Sequence, residues 1–374
     1  MDRIYFDNAA TTSIDPEVLE AMMPYLTEKF GNPSSIYSYG RESRMAIENA
    51  RKSVAKLLNA KPAEIFFTSG GTESSNTAIN ASINDLGCLR IITSPIEHHA
   101  TLHTAEFFSK KGIEVEYVKL LADGHPDLTD LESLLAASNK KTLVSLMHAN
   151  NEVGNISDIF AIGKLCKRYH AIFHSDTVQT IGHFHFDLAH TPVDFITAAA
   201  HKFHGPKGVG MLYINQNITI SPFVHGGAQE RNLRAGTENL YGIVGFAKAL
   251  ELSYERLDAD KAYISSLREY MRESLLEVIP ETTFNGDQSG NGLYTVLSAS
   301  FPKSDRSEML LFNLDINNIC ASGGSACSSG AQLGSHVINS IYPDSHKVTV
   351  RFSFCRNNTK EEVNYVVKKL ATLI

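Results

Sequence analysis

From about residue 40 to residue 214 the chain alternates between two hydrophobic periods, and few folds tolerate that pattern. Arg41 to Leu58 sets Ile47, Ala50, Val54, Leu57 and Leu58 on one face of a helix, and Ile65-Phe66-Phe67-Thr68 is then a short apolar run stopped by Ser69-Gly70-Gly71. The alternation recurs. Strands at Arg90 to Thr93, Val115 to Val118 and Leu143 to Met147 are separated by helices at about Ala100 to Lys111 and Leu128 to Ala137. A helix at Ile159 to Tyr169 precedes three more strands, Ala171 to His174, Phe195 to Ala199 and Gly210 to Ile214. Apolar strands separated by helices predict an α/β architecture whose mostly parallel central sheet is covered by helices on both faces.

Beyond Gly236 the pattern changes. Ile243 to about Leu276 is helix-rich, Gly292 to Phe301 is of β type, and Val348 to Phe354 alternates as a strand. Thr359 and Glu362 form a capping box that opens a terminal helix, Glu361 to Leu373. A second, smaller α/β domain is therefore expected, with residues 13–259 forming the large domain and residues 1–12 and 260–374 the small one. A length of 374 residues suits such a division and can bury a core without disulfide or metal staples.

The net charge of −7 gives no overall basic field for nucleic acid or an anionic membrane. Cys88, Cys166, Cys320, Cys327 and Cys355 are few, odd in number and form no C-x-x-C pair, which favours a reducing compartment. The N-terminus has acidic residues where a signal peptide would be basic and apolar, and no apolar stretch approaches the roughly 18 residues of a membrane span. A cytoplasmic protein is expected.

In a parallel sheet, ligands bind outside the carboxyl ends of the strands, so polar residues just after each strand carry the functional interest. Ser69-Gly70-Gly71-Thr72-Glu73 leads into a helix whose N-terminal amides suit a phosphate, although a Gly-Gly turn capped by Thr72 is also a common structural device. Glu97-His98-His99 follows a second strand, and His174-Ser175-Asp176-Thr177-Val178-Gln179 sets an acid and an amide at a third. In Ala200-His201-Lys202, a lysine directly follows an apolar run; desolvation there would lower its pKa and make the amine nucleophilic, while a lysine snorkelling to the surface is the alternative. A reactive lysine, a buried acid, a flat histidine and a phosphate cradle together describe a pyridoxal phosphate site. The pairs His183-x-His185, His98-His99 and His201-x-x-His204 lack the cysteine or carboxylate spacing of a zinc site, and Lys202 would repel a cation, so no metal is expected.

Six segments carry a resemblance to a known family. Phe6-Asp7-Asn8-Ala9-Ala10-Thr11-Thr12, Thr68 to Ser74, Met147-His148-Ala149-Asn150-Asn151-Glu152-Val153-Gly154, His201 to Gly208, Arg234 to Asn239 and Ala321 to Gly330 resemble cysteine desulfurases of the NifS/IscS type, pyridoxal phosphate transferases of fold type I within the class V aminotransferases. The resemblance implies that Lys202 carries the cofactor, Asp176 partners its pyridine nitrogen, His98 stacks on its ring and Gln179 donates at the ring hydroxyl. Gly71, Thr72 and His201 match phosphate-binding positions. Thr237 matches a residue that completes the neighbouring subunit's phosphate site, implying a homodimer. Asn151 and Arg351 match groups that hold the substrate carboxylate; locally, Arg351 reads equally as an exposed strand arginine. Cys327, in a glycine- and serine-rich stretch, matches the nucleophile that takes sulfur from L-cysteine as a persulfide and passes it to an acceptor protein such as an iron–sulfur scaffold.

The chain departs from the family pattern at two positions. Ala199 stands where a serine is common, and Thr177 stands where alanine is common, which places a larger side chain near the ring. The same fold also serves selenocysteine lyases and other class V aminotransferases, and a binding protein with a relic site is the non-enzymatic alternative. The other four cysteines read as small packing residues.

Overall fold

The computed structural model of the chain describes residues 3–304, 307–324 and 335–374. A seven-stranded sheet lies at its centre, in the spatial order Ile65–Thr68, Gly210–Ile214, Phe195–Ala199, Ile172–Asp176, Thr142–Ser145, Arg90–Thr93, Glu114–Tyr117. Only Gly210–Ile214 runs against the rest, pairing antiparallel with both of its neighbours. Chain length explains the exception to a purely parallel sheet: residues 200–209 form a short connection, whereas a parallel crossover needs about a dozen residues or more.

The period-two alternation of strand side chains divides this sheet between two cores. Ile65, Phe67, Ile92, Val144, Ile196, Met211 and Tyr213 face a core shared with Val18, Ile47, Val54, Phe246 and Leu250, which come from helices Pro16–Thr27, Ser38–Leu57 and Leu240–Glu255. Their sequence neighbours face the other way. Phe66, Phe195, Leu212 and Ile214 pack with Ala78 and Ala81 of helix Gly71–Asn84, while Ile91 and Leu143 pack with Ile79, Ala105 and Phe108. The result is three layers, with the sheet's carboxyl ends left open between them.

A separate apolar cluster gathers Ile4 and Phe6 with Leu267, Met271, Phe301, Val350, Phe352, Val363 and Leu370. It lies on an antiparallel sheet of Val348–Ser353, Val296–Phe301 and Thr283–Phe284, against helices Leu257–Val278 and Lys360–Leu373. The N-terminus reaches this region because Ile4–Tyr5 pairs with Ile319–Cys320. The capping box at the terminal helix is complete: Glu362 N–H donates to Thr359 Oγ1 at 3.2 Å and Thr359 N–H donates to Glu362 Oε2 at 2.9 Å. No helix among the described residues is long and apolar enough to cross a membrane.

Candidate active site

Successive strand ends converge on one cavity of about 260 Å³. Gly71 and Thr72 come from the end of Ile65–Thr68, His98 from beyond Arg90–Thr93, Asn151 from beyond Thr142–Ser145, Asp176 and Gln179 from Ile172–Asp176, and His201 and Lys202 from beyond Phe195–Ala199. Arg351, from the smaller sheet, and Ala9 and Ala10, from the N-terminal segment, close the remaining side. Nine of the candidate residues thus meet in one place. Thr237 does not line the cavity; it is exposed at the surface. Cys327 lies outside the described residues.

Lys202 sits in the turn Ala200–Lys202, directly after a fully buried strand. Its Nζ donates to Ala9 O at 2.7 Å and to Ala10 O at 2.9 Å, so the amine is aimed into the cavity rather than snorkelling to solvent. Gln179 Nε2 donates to the same Ala9 O at 3.0 Å, and the second N–H of that amide is available to a ligand.

Asp176 is buried, accepts from Val178 N–H at 2.9 Å and is pushed above the ordinary carboxylate range mainly by burial, with the nearby His98 and Lys202 opposing. A cationic ring nitrogen beside it would reverse that shift. Ala100 N–H donates to His98 Nδ1 at 3.1 Å, so Nδ1 is an acceptor and the neutral ring carries its proton on Nε2. Burial also lowers the His98 pKa, which favours a neutral, flat imidazole. His201 is pushed down to about 4, first by burial and then by Lys202 and Lys207, so near neutral pH its ring is uncharged.

The cradle has the shape a phosphate needs. The helix Gly71–Asn84 has Gly70 at its N-cap and no side chain capping it, which corrects the alternative in which Thr72 plugs the helix end. A Cβ on Gly71 would lie 2.6 Å from Val178 Cγ2, so the backbone approaches where no side chain fits. Ala199 lines the cavity without a hydroxyl. Thr177, in contrast, is fully buried and donates its hydroxyl to Thr197 O at 2.8 Å, so its extra bulk points away from the cavity and not toward the ring. Buried acid, amine, neutral imidazoles and an uncapped, side-chain-free helix start together fit pyridoxal phosphate.

Arg351 is 2% exposed, which removes the surface-arginine alternative. Its Nη1 donates to Asn151 O at 2.9 Å and Nη2 to Asp7 Oδ1 at 2.6 Å, while the buried Nε has no partner among the described residues. An unsatisfied buried donor on a planar fork is suited to an incoming carboxylate.

Two residues next to the cavity-lining groups were given no role by the sequence. Asp7 meets Arg351 across 344 positions, a pairing no local spacing encodes. Glu97 is 1% exposed, accepts from Met147 N–H at 2.7 Å through Oε1, and is held well above the carboxylate range by burial. Its place beside His98 in Glu97-His98-His99 was the available hint.

The comparisons agree with this geometry. The chain is 43% identical over 375 residues to a cysteine desulfurase IscS of Dictyoglomus turgidum, covering 99% of this chain and 94% of that one. It is 40% identical to a putative cysteine desulfurase IscS 1 of Bacillus subtilis, covering 100% and 99%. A solved NifS-like protein superposes with a TM-score of 0.91 at 39% identity, over 99% of this chain and 98% of that one. SspA in complex with cysteine superposes with a TM-score of 0.82 at 31% identity, over 94% and 98%. The aminotransferase class-V profile matches residues 4–366, and with a sheet, a cavity and near relatives of the same kind the chain belongs to the class-V aminotransferase family.

Proposed function

We propose that the protein is a pyridoxal phosphate-dependent cysteine desulfurase, converting L-cysteine to L-alanine and leaving the sulfur as a persulfide on Cys327. The observation that carries it is the convergence of Lys202, Asp176, His98 and Arg351 on a single cavity. When bound, pyridoxal phosphate supplies an electron sink conjugated to the substrate α-carbon.

The chain's own groups do the rest. Asp176 and His98 would hold the cofactor's ring, the carboxylate keeping a proton on the ring nitrogen and the imidazole staying neutral. Gly71, Thr72 and His201 seat the phosphate. Arg351 and Asn151 hold the substrate carboxylate, which fixes the α-carbon within reach of Lys202 Nζ for proton transfer. The Cys327 thiolate then attacks the substrate sulfur: the S–S bond forms, the substrate Cβ–S bond breaks, and its electron pair stays with carbon, which takes up a proton to give alanine. L-cysteine and one enzyme thiol become L-alanine and one enzyme persulfide, with no other reactant.

The reading extends to a homodimer, supported by the exposed Thr237 that is available to a second copy's phosphate cradle, and to a protein acceptor for the persulfide sulfur such as an iron–sulfur scaffold. Purified protein should show the visible absorbance of the bound cofactor and, with L-cysteine and a thiol reductant, should release alanine and sulfide in equal amounts. Protein that loads cofactor yet yields pyruvate or keto acid in place of alanine would overturn it.

A further inference from the structure

The turn that leads into helix Gly71–Asn84 is closed by a side chain of the helix itself. Glu73, in the first turn, accepts from Ser69 N–H at 2.9 Å through Oε2, so its carboxyl spans the loop whose middle residues, Gly71 and Thr72, line the cavity. A phosphate seated on this helix start would meet an anion beside it. Arg234 compensates that charge from 161 positions away: its Nε donates to Glu73 Oε1 at 2.9 Å and its Nη2 to Glu73 Oε2 at 3.3 Å. The Glu73 side chain is only 13% exposed. Burial alone would raise Glu73, yet Arg234 and the Ser69 N–H hold its carboxyl below the ordinary carboxylate range, so near neutral pH it is ionised and paired.

The backbone that brings Arg234 there is held under strain. Glu230, Arg231 and Asn232 have φ of 43°, 57° and 67°, successive left-handed residues none of which is glycine. Such a run persists only where its surroundings impose it. The clamp is the buried Glu230. Its Oε1 accepts from Arg51 Nη2 at 2.9 Å, and its Oε2 accepts from Arg51 Nη1 at 2.8 Å and from Phe67 N–H at 2.9 Å. Phe67 belongs to Ile65–Thr68, the strand that ends at the cradle. On the other side of Arg234, Ala235 N–H donates to Val224 O at 3.2 Å. The guanidinium thus reaches Glu73 from a backbone fixed on both sides.

We propose that Arg234 is a positioning residue for the cofactor phosphate: it pairs with Glu73, cancels the negative charge beside the cradle and locks the carboxyl that closes the turn from Ser69 to Glu73. The inference rests on the pyridoxal phosphate reading of the cavity. Neither Arg234 nor Glu73 lines the cavity, so both act through Gly71 and Thr72.

The test titrates apoprotein with pyridoxal phosphate and with pyridoxal, which shares the aldehyde and ring but lacks the phosphate, and takes the ratio of the two affinities. Arg234→Ala leaves Glu73 ionised and unpaired, and should lower that ratio about tenfold to a hundredfold, the scale of a lost hydrogen bond to a charged group. Pyridoxal should bind this variant as it binds wild type. Arg234→Lys keeps the charge and should keep most of the ratio. The decisive variant is Glu73→Gln/Arg234→Ala: glutamine still offers an oxygen to the Ser69 N–H but carries no charge, so the double variant should bind pyridoxal phosphate more tightly than Arg234→Ala. A pair that served only to hold the fold would give the opposite, a second loss added to the first. A wild-type ratio in Arg234→Ala, or a double variant that binds no more tightly than Arg234→Ala, would overturn the proposal. If Arg234→Ala does not fold, Arg234→Gln and Glu73→Gln/Arg234→Gln are read by the same criteria. Wild-type apoprotein that binds pyridoxal phosphate no more tightly than pyridoxal would instead refute the cofactor assignment, a distinct result.

Discussion

Arg351 Nη2 donates to Asp7 Oδ1 at 2.6 Å, tying the smaller sheet to the N-terminal segment at the edge of the cavity. Asp7 orients the guanidinium without using it up, since the buried Nε remains open and Nη1 bonds only to the Asn151 carbonyl among the described residues. The fork's rotamer is thus already fixed, which supports the proposed role of Arg351 in holding the substrate carboxylate.

Arg351→Lys keeps the charge but loses the planar fork. The KM for L-cysteine should rise about tenfold or more, while kcat changes by only a few-fold, because what is lost is binding common to ground and transition states. Steady-state kinetics of cofactor-saturated enzyme would check this, and an unchanged KM would remove Arg351 from the substrate site.

Gly71→Ala should weaken cofactor binding, since the new Cβ would lie 2.6 Å from Val178 Cγ2 and backbone or side chain must shift at the cradle. Overpacking of this kind costs about 1–3 kcal/mol, which corresponds to roughly fivefold to a hundredfold in affinity. Val178→Ala deletes the obstructing methyl, so the double variant should regain most of that affinity. Equal cofactor affinity in Gly71→Ala and wild type, measured by titration of apoprotein, would contradict the proposed approach of backbone to phosphate.

Lys202→Ala should abolish turnover and the visible band of a covalently held cofactor, because among the described residues no other lysine lines the cavity. Asp176→Ala should retain some cofactor but lose turnover even with cofactor in excess, since nothing then keeps the ring nitrogen protonated. A reducible cofactor linkage at wild-type stoichiometry in the first variant, or near-normal turnover in the second, would count against these roles.

What the sequence revealed and what it hid follow from the range of the interactions. Strands Ile65–Thr68, Arg90–Thr93, Phe195–Ala199 and Gly210–Ile214 were legible to the residue because uninterrupted apolar runs ended at Gly, Ser or polar turns. The antiparallel direction of Gly210–Ile214 was implicit in the short link before it, yet periodicity alone carries no direction. Lys202, Asp176 and His98 were legible because each lies at or just beyond the end of a strand. The burial of Arg351, its pairing with Asp7 and the turning away of Thr177 were not, since each depends on a partner brought in by the fold. Residues 325–334, with Cys327, were legible only through their composition and their family resemblance.

Buried histidines predict sensitivity to acid. His148, His201 and His204 are each lowered to about 4, chiefly by burial, while an unfolded histidine titrates near its ordinary 6.5. Between about 6.5 and 4 the unfolded chain therefore binds more protons, and stability is lost as pH falls through that window at up to about 1.4 kcal/mol per pH unit for each histidine. Glu97, Asp176, Asp194 and Glu238, raised chiefly by burial, oppose the trend, but against them stand seven histidines lowered chiefly by burial. The thermal midpoint should fall from pH 6.5 to pH 4.5, and His148→Gln should flatten the slope; a midpoint independent of pH over this range would refute the assignment.

Cys327→Ser separates a desulfurase from other enzymes of the fold. The change nearly preserves size but replaces a strong sulfur nucleophile with a hydroxyl that is scarcely ionised near neutral pH. Lys202, Asp176, His98 and Arg351 are untouched, so the variant should load cofactor and respond spectrally to L-cysteine with the wild-type concentration dependence. It should form no persulfide and yield no alanine above background. The remaining cysteines offer no substitute: Cys88, Cys166 and Cys355 are buried, and burial raises their thiols, with Cys88 pushed up to about 11. Cys320 is partly exposed, yet its thiol too is raised by burial, which keeps it protonated and poorly nucleophilic. Mass spectrometry of wild-type protein given L-cysteine should therefore place the extra sulfur on the Cys327 peptide. Finding it on another cysteine, or normal alanine formation by Cys327→Ser, would sink the assignment of Cys327 as the sulfur acceptor while leaving the cofactor chemistry of Lys202 and Asp176 intact.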